Sequence, residues 1–163
     1  MHNPADLFFI FSAKYLYLAA IIIAAFWFCM QPRPKQKEIF ILASICLPLI
    51  FAISWVAGNF YYNPRPFVVE GFKPLILHKA NNGFPSHHVL LASAVSAIIF
   101  IFNRRIGLLL WILTLLVGFS RVYAGVHHTA DVAGSILISI ITVTIACLVI
   151  KYFNNLKTRG RLK

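Results

Sequence analysis

SRVYAGVHHTADVAGSILISIITVTIACLVI, residues 120–150, joins a polar segment to an uncharged apolar one, and each half decides something different about the chain. Val132 to Ile150 carries no charge and approaches the roughly 20 residues that an α-helix needs to cross a hydrocarbon core of about 30 Å. The polar half places Ser120, Arg121, His127 and Asp131 just ahead of that span. A carboxylate so close to lipid is costly unless it is paired or used.

Four more apolar runs share this character: Leu7 to Met30, Ile39 to Ala57, Ser86 to Phe102 and Ile106 to Phe119. The expected fold is therefore all-α, a polytopic membrane bundle of about five transmembrane helices in a single domain over residues 1–163. Composition agrees: 60% of the 163 residues are hydrophobic and only 12% charged, where a soluble globule carries about a quarter charged residues. The mean hydropathy is +0.81. The first run is long and contains Ser12 and Lys14, so it reads either as one tilted helix or as an interfacial turn followed by a span. Met1 to Phe8 lacks the basic start of a signal peptide, and no small-residue cleavage site follows the apolar run. Pro48 is expected to kink the second span.

A net charge of +11 suggests nucleic acid in a soluble domain, but here the cations gather in short gaps between apolar runs. No nucleic-acid partner is expected. Arg33, Lys35 and Lys37 follow the first run, Arg104 and Arg105 the third, and Lys151, Lys157, Arg159, Arg161 and Lys163 the last, which is ten of fifteen cations on one side. The positive-inside rule makes that side cytoplasmic. The Gly58 to Pro85 loop and the Ser120 to Asp131 segment then face outward together. Cys29, Cys46 and Cys147 stand alone in apolar stretches without ligand spacing, so neither a metal nor a disulfide is expected, and no cofactor. Nothing in the sequence sets an oligomeric state.

Three polar clusters lie on the outward side. In Asn63-Pro64-Arg65-Pro66 the prolines fix the backbone around a guanidinium suited to bidentate grip on phosphate; alone, Arg65 reads first as an anchor to lipid headgroups. In Pro85-Ser86-His87-His88, Ser86 stands where an N-cap would open a span, a position that offers a phosphate free N–H groups, and His88 is placed to pass a proton to a leaving oxygen. An ordinary cap with two interfacial histidines explains that stretch equally well. His127 and Asp131, four apart, would share a helix face. A carboxylate on one imidazole nitrogen leaves the other free to attack phosphorus, and Arg121 would offset charge on the transferring group. A structural helix-start carboxylate is the alternative for Asp131. His128 is an alternative nucleophile that breaks the spacing to Asp131.

Together these residues resemble the type 2 phosphatidic acid phosphatase superfamily of membrane lipid phosphatases, whose signature runs Lys-x6-Arg-Pro, Pro-Ser-Gly-His, Ser-Arg-x5-His-x3-Asp. Ser120, Arg121, His127 and Asp131 match the third motif completely. Pro85, Ser86 and His88 match the second, with His87 at the glycine. Arg65 and Pro66 match the first, whose lysine position is Gly58. The resemblance covers about residues 58–139 and is closest to the bacitracin-resistance type of undecaprenyl diphosphatase, where a non-glycine at the position of His87 is common. Five spans instead of the family's usual six is a second departure. What the resemblance implies is metal-independent hydrolysis of a terminal lipid phosphate through a phosphohistidine at the outer face of a bacterial inner membrane. His127 would be the nucleophile, Asp131 its orienting carboxylate and His88 the acid and later the base. Arg65, Ser86, His87, Ser120 and Arg121 would hold the phosphoryl group, and Lys73 or Lys79 would supply the charge absent at Gly58. Undecaprenyl diphosphate is the leading substrate. Phosphatidylglycerophosphate, phosphatidate or lipid A phosphates are alternatives, and a non-catalytic lipid-phosphate-binding protein is the alternative of another class.

Overall fold

The computed structural model describes residues 3–160, with side chains to Phe153. The side chains of Lys157, Arg159, Arg161 and Lys163, four of the cations used above to orient the chain, lie outside the described residues.

Six helices follow one another: α1 Pro4–Cys29, α2 Arg33–Phe60, a short α3 Pro66–Glu70, α4 His87–Phe102, α5 Arg104–Tyr123 and α6 Thr129–Gly160. Among the described residues α1, α2, α5 and α6 are each long and apolar enough to span a membrane, and α4 is a shorter apolar helix of 16 residues. The five expected apolar segments are thus all helical; α2, α5 and α6 are longer at both ends and α1 starts earlier, whereas α4 does not extend beyond Ser86 to Phe102. One boundary is resolved: α1 is a single helix from Pro4, so residues 7–14 belong to it, and Asn3 with Asp6 closes a capping box at its start. Pro48 is accommodated inside an unbroken α2.

The shortest of the five long apolar helices is the hub. α4 packs on α5, α6, α1 and α2, whereas α1 and α2 barely touch each other. Small residues let its neighbours approach. A Cβ on Gly118 of α5 would lie 2.6 Å from Val132 of α6, and one on Gly107 would lie 2.4 Å from the Phe100 backbone of α4. Hydroxyls then bond between helices, Ser93 to Ser139 at 2.7 Å and Ser96 to Thr114 at 2.9 Å, the usual adhesive of apolar bundles. Large apolar side chains such as Ile22, Phe26, Ile112 and Leu148 point outward, as lipid-facing residues do. At 1.5 Å per residue α4 is about 24 Å long, short of the hydrocarbon thickness of about 30 Å, and its first turn meets α1 well inside that helix, His88 against Tyr17, at the polar end of the bundle. The C-termini of α2 and α5 and the N-termini of α1, α4 and α6 meet there.

Candidate active site

The α5–α6 corner supplies the centre. α5 runs on through Ser120 and Arg121, with Arg121 in its last turn, and Gly125, at φ +73°, turns the chain toward α6. That places His127 ahead of α6, which begins at Thr129. The shared helix face expected for His127 and Asp131 is therefore not how they meet. Asp131 lies in the first turn of α6 and reaches back. Its Oδ2 accepts the His128 backbone N–H at 2.9 Å and lies 3.2 Å from His127 Nδ1, while its Oδ1 accepts Asn63 Nδ2 at 2.7 Å. The contacts that the structural and the chemical readings of Asp131 each require are both present, because one carboxylate has enough lone pairs to cap a helix and hold an imidazole.

On the other side of the ring, His127 Nε2 lies 3.2 Å from Arg65 Nη1 and 3.2 Å from Arg121 Nη2. Guanidinium nitrogens only donate, so Nε2 accepts, and the ring proton sits on Nδ1 toward Asp131. Burial holds the His127 imidazole down, to about 4; the Asp131 hydrogen bond pulls upward and the two guanidiniums push downward. The ring is neutral and oriented, with its Nε2 lone pair between two cations.

Arg65 is buried with every nitrogen engaged: Nε on Asn81 Oδ1 at 3.0 Å, Nη1 on the Val126 carbonyl at 2.7 Å, Nη2 on the Asn82 carbonyl at 3.3 Å. Burial lowers its pKa, with Asp131 opposing. Arg121 donates through Nη1 to the Ala13 carbonyl of α1 at 3.3 Å. Two buried side-chain polar atoms lack a partner among the described residues, Arg121 Nε and Ser86 Oγ. Arg121 lines the cavity of this site; Ser86 does not, though its neighbours Pro85 and His87 do. Orphaned buried donors call for an explanation, and a bound anion supplies one.

Ser86 is the N-cap of α4, as expected, but its hydroxyl makes no capping bond. His87 and His88 follow it, His87 exposed and His88 half-buried with its ring edge-on to Tyr17 of α1, centroids 4.5 Å apart. A cavity of about 310 Å³ is lined by Arg65, His87, His88, Arg121, His127 and, among others, Gly58 and His78. Five expected residues stay out of its lining: Ser86 and Asp131, both fully buried, and Ser120, Lys73 and Lys79. Ser120 is buried and donates to the Leu116 carbonyl at 2.6 Å, a bond within its own helix. Lys73 and Lys79 are exposed on the α2–α4 loop and do not line the cavity. His128 is turned away, its Nε2 3.0 Å from the Pro64 carbonyl.

Gly58 does face the cavity, so the position of the absent motif lysine is in the wall. A Cβ there would sit 3.0 Å from the Phe84 carbonyl, close enough that the turn carrying Pro85 would have to give way. Sequence reasoning missed Asn63, His78, Asn81 and Asn82. Asn82 ties the loop: its Oδ1 accepts the N–H groups of Asn63 and Phe84, and its Nδ2 donates to the Gly58 and Tyr61 carbonyls. Gly83 is where the loop presses closest, since a Cβ would come within 2.8 Å of Asp131 Oδ2. Asn81-Asn82-Gly83 was legible as a turn signal, not as scaffolding.

A helical bundle that buries an aspartate–histidine pair between two arginines at a membrane-facing end defines a phosphate-handling integral membrane protein. The sequence profile of the PAP2 superfamily matches residues 37–155, and the chain belongs to that superfamily. It is 35% identical over 142 residues, 86% of this chain and 72% of the relative, to "Undecaprenyl-diphosphatase BcrC" of Bacillus subtilis (strain 168). It is 30% identical to "Bacitracin transport permease protein BcrC" of Bacillus licheniformis over 134 residues, 81% of this chain and 65% of that protein. Among solved structures it resembles that of Aquifex aeolicus LpxE, with a TM-score of 0.71, 27% identity and coverage of 90% of this chain and 87% of that one.

Proposed function

We propose that this protein is a membrane lipid phosphatase that removes the terminal phosphate of undecaprenyl diphosphate at the outer face of a bacterial inner membrane. The observation that carries the chemistry is His127, whose Nε2 lies between Arg65 and Arg121 while Nδ1 is held by Asp131. The substrate assignment is supported by the similarity to an undecaprenyl-diphosphatase, and the orientation by the cations on the opposite side of the chain.

The terminal phosphoryl group enters with its oxygens on Arg65, Arg121, the Ser86 hydroxyl and the backbone N–H of His87. His127 Nε2 bonds to phosphorus, the bridging P–O bond breaks, and His88 gives its proton to the leaving lipid phosphate. Water, deprotonated by His88, then attacks phosphorus; the P–N bond breaks and inorganic phosphate leaves. A cavity of about 310 Å³ accommodates the headgroup, while the tail stays among the lipid-facing helices. A relative named as a transport permease raises another use for the fold, but a buried nucleophile with a paired carboxylate is an arrangement that chemistry requires and passage does not.

The test is phosphate release by the purified, detergent-solubilised protein in EDTA, offered undecaprenyl diphosphate, phosphatidylglycerophosphate, phosphatidate and a lipid A phosphate. Fastest release from undecaprenyl diphosphate is the expected result. Preference for a monophosphate lipid would replace the substrate, and dependence on an added divalent ion would overturn the mechanism.

A further inference from the structure

The phosphate-binding groups described so far are heavily committed. Arg65 spends all three nitrogens on Asn81, Val126, His127 and Asn82, and two nitrogens of Arg121 are on Ala13 and His127. A lipid diphosphate brings a second phosphate that needs donors of its own, and the wall position where the family carries a lysine is Gly58. Neither Lys73 nor Lys79 lines the cavity. Between them in the chain, His78 does.

The loop carrying His78 is anchored two residues earlier. Leu75 N–H donates to the Ala124 carbonyl at 3.1 Å, and Ile76 is buried against Ala13, Ala124 and Val126. The half-buried His78 ring stands with its centroid 6.2 Å from that of His127, interplanar angle 74°. Its Nδ1 lies 3.4 Å from the Lys79 carbonyl, a long bond that settles the Nδ1 proton there and leaves Nε2 without a partner among the described residues. Burial, then Arg65, with Arg121 and His87 adding to it, hold this imidazole below its ordinary value. A phosphate anion among those cations reverses the sign of the field and favours the protonated, doubly donating ring.

We propose that His78 is a phosphate ligand of this enzyme, supplying through its ring the cationic donor that position 58 lacks. The assignment rests on the lipid-phosphatase reading above. In the kinetic test, His78→Ala raises KM for undecaprenyl diphosphate by about 10-fold or more, the cost of a lost charged hydrogen bond, with kcat changed far less. His78→Lys recovers most of the loss, because it restores a cation on the same anchored loop, and His78→Gln recovers little. In the binding test, the 13C-labelled His78 ring signal of the wild-type protein, identified by its disappearance in His78→Gln, shifts and saturates with inorganic phosphate. An unchanged KM in His78→Ala, a ring signal indifferent to phosphate, or a loss in Lys73→Ala or Lys79→Ala with His78→Ala silent would each overturn the proposal. If the wild type releases phosphate from no lipid while the His78 signal still saturates with phosphate, the functional reading fails and the His78 assignment stands.

Discussion

The α5–α6 corner and the α2–α4 loop furnish the two halves of one site by opposite means. In the corner, Arg121 is in the last turn of α5 and Asp131 in the first turn of α6, so the charges of the candidate site also complement the helix ends that carry them. The loop has no such frame. It holds Arg65 through asparagine side chains and carbonyls, with one isolated bridge, Pro64 to Asn82, and the close pass of Gly83 against Asp131. A corner of this kind tolerates little substitution because each residue serves fold and reaction at once. The loop separates the two duties, and Gly58, at the position of the motif lysine, lies just ahead of it in the last turn of α2.

The largest break in that comparison is expected at the corner. His127→Ala should abolish turnover, a loss of about 10⁴-fold or more, and remove the acid-labile phosphoenzyme. His128→Ala, which gives up only its contact to the Pro64 carbonyl, should cost about 2- to 10-fold. Equal losses from the two would mean that the corner does not select its nucleophile by geometry.

Asp131→Asn comes next. It keeps the shape but removes the charge that fixes the Nδ1 proton, and an amide NH₂ facing Nδ1 favours the wrong tautomer. A fall in kcat of about 10²- to 10⁴-fold is expected, measured as phosphate release with KM little changed.

On the loop side Arg65→Lys should cost about 10²-fold, near that of losing a transition-state donor outright. One ammonium cannot span partners set around a planar fork. Activity near wild type would show that charge alone suffices there and that the loop is less exacting than its hydrogen bonds suggest.

The pH dependence separates the halves more finely. His127 is held to about 4 by burial, against about 6.5 in an unfolded chain, so phosphoenzyme formation should keep its nucleophile until pH falls through about 4. Between those values the unfolded chain binds more protons than the folded one. This residue therefore makes stability decline as pH drops from about 6.5 to about 4, and below that window the loss is complete. Removing a cation with Arg65→Gln should move the acidic limb of phosphoenzyme formation upward, read by single-turnover kinetics.

The smallest effect tests where both halves face. With Cys29, Cys46 and Cys147 replaced, a cysteine at exposed Leu77 should react with an impermeant thiol reagent in intact cells or spheroplasts. A cysteine at exposed Lys37 should react only after lysis, and the reverse pattern would place the chemistry in the cytoplasm.

The sequence alone determined that the chain is an integral membrane protein built on five apolar segments, and it singled out Arg65, Ser86, His88, Arg121, His127 and Asp131 as the candidates for phosphate chemistry. Apolar length and motif spacing are local properties that survive without a fold. The true relation of His127 to Asp131 was not legible, because it depends on where α6 starts and on a side chain that bonds backward across that start. Nor was the fate of Ser120, whose hydroxyl the helix claims for the Leu116 carbonyl, or that His78, and neither Lys73 nor Lys79, lines the cavity. Which residues of the loop between α2 and α4 reach a cavity is decided by its anchors, here Asn82 and Ile76, and those contacts join positions far apart in the chain. Only the tertiary structure brings α1 to the site, where Ala13 accepts from Arg121 and Tyr17 meets His88, since no pattern within an apolar helix records which neighbour it will pack against.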